Sequence, residues 1–235
     1  MLSPPLRFLI QPQTPQAPKA RQRMLIPLPE AWIKDRKKEY YYKKAKAENY
    51  RSRATYKLVQ ANEKYQFIKR NDIVVDLGAA PGGWIQAARK MTGKYGFVLG
   101  VDLKPIEPFT QEYIRTIIAD LTEPDIDAQI LSFIPRKADV VLSDAAPNIT
   151  GVWEVDHARQ IELATKALEI AQCVLKPGGN FFVKVFEGGM LADYIKTLKS
   201  QFAEVRIVKP LASRSQSSEM YLLSLGLKSA QEPKE

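Results

Sequence analysis

The stretch "DIVVDLGAAPGGWIQAARK", which runs from Asp72 to Lys90, decides the fold. It begins with a short apolar run, passes through a loop that contains Gly78, Gly82 and Gly83, and ends in a segment with helical character. A strand, a glycine loop and a helix in this order predict the first unit of an open α/β sheet. Ligands of such sheets bind at the carboxyl ends of the strands, where this loop is expected to lie.

Apolar runs alternate with helical segments along the rest of the chain. The runs "GFVLGVDL", "RTIIADL", "ADVVLSDAAPN", "NFFVKVF", "AEVRIVKP" and "EMYLLSLGL" are predicted to be strands. Helices are predicted around 124–134, over 154–175, where "KPGG" would end the helix, and in "MLADYIKTLKSQF". Short apolar runs separated by helices predict a parallel sheet that is covered on both faces.

The spacing of the glycine loop narrows the choice of ligand. A dinucleotide-binding loop requires G-x-G-x-x-G, but Ala80 occupies the middle position, and a phosphate-binding P-loop requires lysine where Trp84 stands. "VDLGAAPGG" is instead similar to the first motif of S-adenosylmethionine-dependent methyltransferases. Asp102 ends the second strand, where an acid can accept both ribose hydroxyls, and Asp120 ends the third, where it could meet an adenine amino group. The alternative is an ordinary strand–helix turn with aspartates that cap helices.

Four further residues could carry chemistry. Asp144 ends the fourth strand in "VVLSDAAPN", which differs from the Pro-Pro-aromatic pattern of amino-group methyltransferases, so a base amine is the less favoured acceptor. Lys184 lies within "NFFVKVF" and is costly to bury unless it is paired, or else belongs to an edge strand and reaches water. Glu219 opens the last strand as a carboxylate partner or a solvated acid, and Lys57 is a site residue or one more member of a basic face.

Five motifs occur together in one order. They are "YRSRATYKL", "VVDLGAAPGGW", "VVLSDAAPN", "FFVKVF" and "KPLASRSQSSEMY". In this combination the chain, from about Lys38 to Leu227, resembles the FtsJ/RlmE family of RNA ribose 2′-O-methyltransferases. The resemblance implies a Rossmann-like class I methyltransferase fold, with a mostly parallel seven-stranded sheet between helices, and S-adenosyl-L-methionine as cofactor.

The resemblance also implies roles for individual residues. It assigns a catalytic tetrad to Lys57, Asp144, Lys184 and Glu219. Together with the glycine loop, it places cofactor contacts at Gly78, Gly82, Trp84, Asp102, Asp120 and Asp144. In this mechanism Lys184 would be the base for a ribose hydroxyl, or would orient it and stabilise the alkoxide. Lys57 would favour loss of the Lys184 proton and the two carboxylates would oppose it, which leaves the protonation state open.

Charge is concentrated in one segment. The chain carries a formal net charge of +9, and residues 34–57 hold ten Lys or Arg against three acids, interleaved with tyrosines. Such a segment suits RNA, because cations meet phosphates and rings stack on unpaired bases. The residues predicted to contact RNA are Lys37, Lys38, Lys43, Lys44, Arg51 and Arg53. The alternative is a solvated helix whose tyrosines pack on the domain.

The ends of the chain differ in composition from its centre. Residues 1–33 hold seven of the sixteen prolines and are expected to form a mostly disordered arm. The methyltransferase domain is expected over 34–227, with its basic helical segment at 34–70, and 228–235 as a frayed tail.

Composition excludes several classes of protein. A single cysteine and a single histidine rule out an internal disulfide, a cysteine metal cluster and a multi-histidine zinc site, so no metal is expected. No apolar run approaches the ~18–20 residues of a membrane span, and the proline-broken start is unlike a signal peptide. We therefore expect a cytoplasmic monomer without a membrane partner.

The predicted function is transfer of a methyl group to a ribose 2′-hydroxyl. The resemblance implies a uridine in large-subunit (23S-type) rRNA as the target, presented within a ribosomal subunit or its precursor. Close relatives instead modify the tRNA anticodon loop. Two other classes stay open at this point, a non-catalytic RNA-binding protein on a methyltransferase scaffold and a dinucleotide oxidoreductase, which Ala80 disfavours.

Overall fold

The computed structural model describes residues 30–213 and 217–229, and for 30–38 the backbone alone. The helices are α1 Glu30–Ala47, α2 Thr55–Tyr65, α3 Gly83–Thr92, α4 Ile126–Phe133, α5 Trp153–Val174 and α6 Leu191–Gln201. The strands are β1 Ile73–Leu77, β2 Phe97–Asp102, β3 Ile114–Ile118, β4 Ala138–Ser143, β5 Leu175–Phe186, β6 Phe202–Val208 and β7 Glu219–Leu227. Within the described ranges, no helix is long and apolar enough to cross a membrane.

The strands form one seven-stranded sheet in the order β3-β2-β1-β4-β5-β7-β6. The first five of these are parallel to their neighbours, and β7 runs antiparallel between β5 and β6. This arrangement confirms the predicted Rossmann-like class I methyltransferase fold. The order reverses on either side of β1, which opens a crevice at the carboxyl ends of β1 and β4, where ligands of such sheets bind.

Each face of the sheet carries its own hydrophobic core. Val75 and Leu77 of β1 pack in a cluster with residues of α4, α5 and α6. Val74 of the same strand packs in a second cluster with Leu58 of α2 and Ile85 of α3. Successive side chains of a strand point to opposite faces, so the sheet separates an α4–α6 layer from an α2–α3 layer. This alternation later decides which polar residues meet.

Three sequence expectations differ from the structure. Helix α1 begins at Glu30, so the last residues of the predicted arm 1–33 are helical; residues 1–29 and 230–235 lie outside the described ranges. The residues "KPGG" belong to β5 and do not end α5. Helix α5 ends at Val174, one residue before its predicted end, and Leu175 already pairs with Ala138. The proposal that Lys184 lies on an edge strand is wrong, because β5 is hydrogen-bonded to β4 on one side and to β7 on the other.

A buried carboxylate ties the amino ends of three strands together. Asp139 of β4 accepts a hydrogen bond of 2.7 Å from the Ile73 amide of β1. It also pairs with Arg136 at 2.8 Å and with Lys176, at the start of β5, at 2.6 Å. Both cations are half-exposed, whereas the carboxylate is buried. The Ile73 amide is therefore the partner that would lose most without Asp139.

We expect Asp139→Ala to lower the free energy of unfolding by about 1–3 kcal/mol, because the buried Ile73 amide loses its acceptor. Asp139→Asn is the matched control. It can still accept from Ile73 and loses mainly two half-exposed ion pairs, which are worth about 0–1 kcal/mol each. Urea denaturation of both variants measures the difference. Equal losses in the two variants would contradict this role for the Ile73 amide.

Candidate active site

The alternation of the sheet brings the predicted tetrad to one layer. Val140 and Leu142 lie in the α2–α3 core, so Asp144 continues on the same face, just past the end of β4. Phe182 likewise places Lys184 on this face of β5. In β7, Tyr221 and Leu223 belong to the same core, which puts Glu219 there too. Lys57 reaches the group from α2.

Two ion pairs form the centre of the site. The Lys184 ammonium donates to the Asp144 carbonyl at 2.6 Å and lies 3.3 Å from the Asp144 carboxylate. The Lys57 ammonium lies 2.5 Å from the Glu219 carboxylate. All four side chains are at least four-fifths buried, with exposures of 7% and 20% in the first pair and 12% and 18% in the second. The structure thus brings the four predicted residues together as two neutral pairs.

Tyr221 joins the two pairs, and sequence reasoning missed it. Its hydroxyl donates to the Asp144 carboxylate at 2.8 Å and lies 3.4 Å from a Glu219 oxygen. Its ring is fully buried against Phe182, with the centroids 4.8 Å apart. Burial, followed by the neighbouring Asp144 and Glu219 carboxylates, raises the pKa of the Tyr221 phenol well above its ordinary value. Tyr221 therefore stays protonated and acts as a hydrogen-bond donor.

The glycine loop is shaped by close contacts. Gly78 has a φ of +75°, and a Cβ there would lie 2.7 Å from the Ala145 backbone, next to the end of β4. Gly82 has a φ of +105°, and its Cβ would lie 2.7 Å from the Phe109 ring. Both positions therefore require glycine for backbone conformation and for space. Asp102, at the end of β2, fixes the loop by accepting the Ala80 amide at 2.8 Å.

Arg51 holds the outer side of this loop. Its guanidinium donates to the carbonyls of Glu107 at 2.6 Å and Pro108 at 2.9 Å, and lies 3.8 Å from the centre of the Phe109 ring. The same guanidinium lies against Gly82. The planar head of Arg51 is thus engaged with the wall of the cofactor loop, and its contact with RNA stays a prediction.

The remaining predicted cofactor residues differ in what they offer. The Trp84 side chain is buried, donates to the Ala54 carbonyl at 2.9 Å and packs beside Phe182, so its backbone amide, in the first turn of α3, is the group that it can offer to a ligand. The second carboxylate oxygen of Asp102 accepts a hydrogen bond of 2.8 Å from the Lys104 amide. Asp120 follows β3, and hydrogen bonds from the Thr122 amide and hydroxyl lower the pKa of its carboxyl.

The basic segment divides into two parts. Tyr56 is buried and packs with Tyr41 and Tyr50 on the domain, whereas Tyr40 and Tyr42 are 58% and 63% exposed. The tyrosines that pack on the domain and those that are exposed are therefore different residues, and stacking of the exposed rings on RNA bases stays a prediction.

The predicted RNA-binding cations of this segment differ in their contacts. Lys43 is exposed and paired with Glu39 at 2.6 Å. Lys44 lies 3.9 Å from Glu48 and 4.8 Å from the Tyr56 ring centre. Arg53 is partly buried at the start of α2, and the side chains of Lys37 and Lys38 lie outside the described part of the structure.

The sheet is doubly wound and carries a tight glycine loop after β1. An acid stands at the end of each of the two strands that flank β1, and the paired lysines lie beside these acids. Together these features define a class I methyltransferase site. A family model for FtsJ-like methyltransferases matches residues 50–227, and the chain belongs to this family. S-adenosyl-L-methionine is its cofactor. The glycine backbone and the carboxylates that follow β2 and β3 fit an aminoacyl nucleoside, which carries hydroxyl and amino groups but no phosphate.

Curated relatives and solved structures agree with this assignment. A "Ribosomal RNA large subunit methyltransferase E" of Methanocaldococcus jannaschii is 50% identical over 196 residues, which cover 82% of this chain and 80% of the relative. The protein of the same description from Methanosarcina mazei is 53% identical over 188 residues, which cover 80% of this chain and 69% of the relative.

A solved structure described as a ribosomal RNA methyltransferase from Plasmodium falciparum has a TM-score of 0.69 at 28% identity, and covers 77% of this chain and all of its own. Fibrillarin of Aeropyrum pernix with bound S-adenosyl-L-methionine has a TM-score of 0.51 at 18% identity, over 67% of this chain and 68% of its own. The fibrillarin likeness concerns the fold alone.

Replacement of Tyr221 by phenylalanine tests the link between the two ion pairs. We expect Tyr221→Phe to slow methyl transfer about 10–100-fold, the effect of losing a hydrogen bond to a charged group worth about 1.5–3 kcal/mol. Single-turnover rates at saturating cofactor and RNA measure this effect, and calorimetry checks that cofactor affinity is retained.

Tyr194→Phe is the matched control for this variant. Tyr194 is also buried, but its hydroxyl donates to the Ala164 carbonyl in the opposite layer. We expect this control to keep the wild-type rate. A Tyr221→Phe rate equal to that of the control would remove the phenol from the reaction.

Proposed function

We propose that this protein transfers the methyl group of S-adenosyl-L-methionine to a ribose 2′-hydroxyl of large-subunit ribosomal RNA. The observation that carries the proposal is the buried pair of Lys184 and Asp144 at the carboxyl edge of the sheet, with the Lys184 ammonium at the end of the crevice next to the glycine loop. The names of the curated relatives support ribosomal RNA as the substrate.

The chemistry of the acceptor explains the lysine. A ribose hydroxyl is a weak nucleophile and must lose its proton as it attacks, so it needs a nearby base or a cation that stabilises the developing alkoxide. The cofactor supplies a methyl group that its sulfonium already activates. Lys184 would orient the hydroxyl, and the Asp144 carboxylate and carbonyl hold the ammonium in place. Much of the rate would come from this alignment.

The outer part of α1 would hold the RNA. Tyr42 and Lys43 are exposed there, and Lys46 extends the same surface. Exposed rings and cations in one segment are suited to unpaired bases and their phosphates. A uridine of the large subunit is the target that we favour. The tRNA anticodon loop is the alternative target, and the assay below separates the two.

The decisive experiment is methyl transfer from labelled cofactor to ribosomal RNA and tRNA that lack the modification. Labelled nucleosides would be identified after digestion. We expect label in large-subunit RNA and at the ribose, which makes the adjoining phosphodiester resistant to alkali because the 2′-oxygen can no longer attack the phosphate. Label on a base, or in tRNA alone, would contradict the proposal.

Two variants of Lys184 separate its roles. We expect Lys184→Ala to reduce single-turnover transfer by at least about 10²–10⁴-fold, the range of general base catalysis, while RNA and cofactor still bind. Arginine keeps the charge but is never deprotonated in proteins, so Lys184→Arg should fail as badly if Lys184 is the base. Wild-type rates in the alanine variant would remove Lys184 from the chemistry.

The RNA surface is tested by salt dependence. We expect Lys43→Ala with Lys46→Ala to weaken RNA binding and to flatten its salt slope by up to about 0.7 log units for each single-strand phosphate that is no longer neutralised. Tyr42→Ala should weaken binding without a change in slope, because it removes stacking alone. Lys166→Ala is the control, since Lys166 on α5 is also exposed and paired, with Glu169 at 2.7 Å. An unchanged salt slope in the variant with Lys43→Ala and Lys46→Ala would indicate that this surface is simply solvated and does not contact RNA.

A further inference from the structure

Asp76 stands apart from every other acid of the site. It is the fourth residue of β1, it is fully buried, and neither of its carboxyl oxygens has a hydrogen-bond partner among the described residues. A buried carboxyl without a partner is costly, and such groups are kept where function requires them. The reaction as derived above gives Asp76 no role.

The register of the sheet places Asp76 directly below the cofactor loop. Asp76 lies opposite Gly100 of β2 and Leu142 of β4. Asp102 and Asp144 follow these two partners by two residues each, so all three carboxyls project to the α2–α3 layer. Gly78 follows Asp76 by two residues on β1 and continues into the loop that approaches the ligand.

The covering helix α3 packs closely over Gly100, the neighbour of Asp76 across the strands. Gly100 has no side chain, and a Cβ there would lie 2.3 Å from the Ile85 terminal methyl. The covering helix α3 contributes only uncharged buried residues to this layer, among them Trp84 and Ile85. The Asp76 carboxyl is therefore enclosed by apolar groups on the helix side, and its polar neighbours lie toward the loop.

The electrostatic surroundings of Asp76 are negative. Burial raises the pKa of the Asp76 carboxyl well above its usual range, and the Asp144 and Asp102 carboxylates raise it further. The other charged groups of the layer, Lys57 from α2 and Lys184 from β5, are occupied by Glu219 and Asp144. Without ligand, Asp76 therefore holds its proton, and an added positive charge is what would release it.

The two ligands of this site differ in charge. The cofactor carries an ammonium, a carboxylate and a sulfonium, whereas the product, S-adenosylhomocysteine, has a neutral thioether in place of the sulfonium. We propose that Asp76 senses this charge: it ionises when the sulfonium cofactor binds and remains protonated when the product is bound. The proton passes from the Asp76 carboxyl to solvent on binding and returns from solvent after the methyl group has left.

This arrangement favours the loaded cofactor over the spent one. With the cofactor bound, the Asp76 carboxylate attracts a positive charge in a medium of low dielectric constant. After transfer that charge is gone, so the carboxylate is again unfavourable and the product is held less tightly. Binding of the cofactor and of the product is measured without RNA, so the outcome for Asp76 is independent of whether a ribose of ribosomal RNA is the methyl acceptor.

Calorimetry of the full chain in buffers of different ionisation enthalpy, between about pH 6 and 9, counts the protons released. For wild type we expect the cofactor to release up to about half a proton per site, the maximum for a shift of about one pKa unit, and S-adenosylhomocysteine less, so that only cofactor affinity rises with pH. An unreactive analogue with an amine in place of the sulfonium should behave like the cofactor. Equal proton counts for cofactor and product would overturn the proposal without any variant.

Asp76→Asn then assigns the proton to this residue. We expect the variant to release no additional proton with the cofactor and to lose about 10-fold in its preference for cofactor over product, which corresponds to about one pKa unit of coupling. Asp139→Asn is the control, because Asp139 is also buried on the sheet but lies at the opposite ends of the strands. An unchanged proton count in Asp76→Asn would assign the release to another group and sink the proposal.

Discussion

The side chains of neighbouring residues in a strand point to opposite faces, and this alternation fixes where the polar groups of the site can lie. Asp102, Asp144 and Lys184 each stand two residues beyond a residue of the α2–α3 layer. A shift of one residue would bury the charges among the apolar side chains of α4, α5 and α6, and would move the core residues between them to the α2–α3 layer. The register that buries the core therefore also assembles the site.

Charge balance limits what this layer can hold. Lys57 and Lys184 are offset by Glu219 and Asp144, and the hydroxyl of Tyr221 donates to the same Asp144 oxygen that the Lys184 ammonium approaches. Each pairing offsets part of the cost of burying its charges, whereas another unpaired anion would add a large desolvation penalty. A cationic ligand is the natural complement of this layer. The loop beneath it accordingly presents backbone and carboxylate oxygens, without a cluster of cations.

The sequence predicted the layers and marked single site residues, because strand ends and an apolar strand around a lysine are local signals; the resemblance to the FtsJ/RlmE family grouped four of them as a tetrad. Tyr221 was not predicted as a site residue, because the pattern of "EMYLLSLGL" indicates a core position for its tyrosine. The available signal was its position two residues after Glu219, which puts both side chains on one face of β7. The contacts of Arg51 with the cofactor loop were not predicted, because its basic neighbours suggested RNA. Its partners at Glu107 and Pro108 lie in an irregular segment whose path follows from tertiary packing and has no periodicity to reveal it.

The basic helix is not an independent attachment to this domain. The Gln60 side chain on α2 donates to the Tyr41 hydroxyl on α1 at 2.8 Å and accepts the Ala212 amide at 2.9 Å. The next residue, Ser213, lies 3.3 Å from the Glu219 carboxylate. A displacement of α1 would thus reach α2, which carries Lys57, and the segment that leads to Glu219. Gln60, one partly buried amide, therefore links the position of α1 to the segment that leads to Glu219.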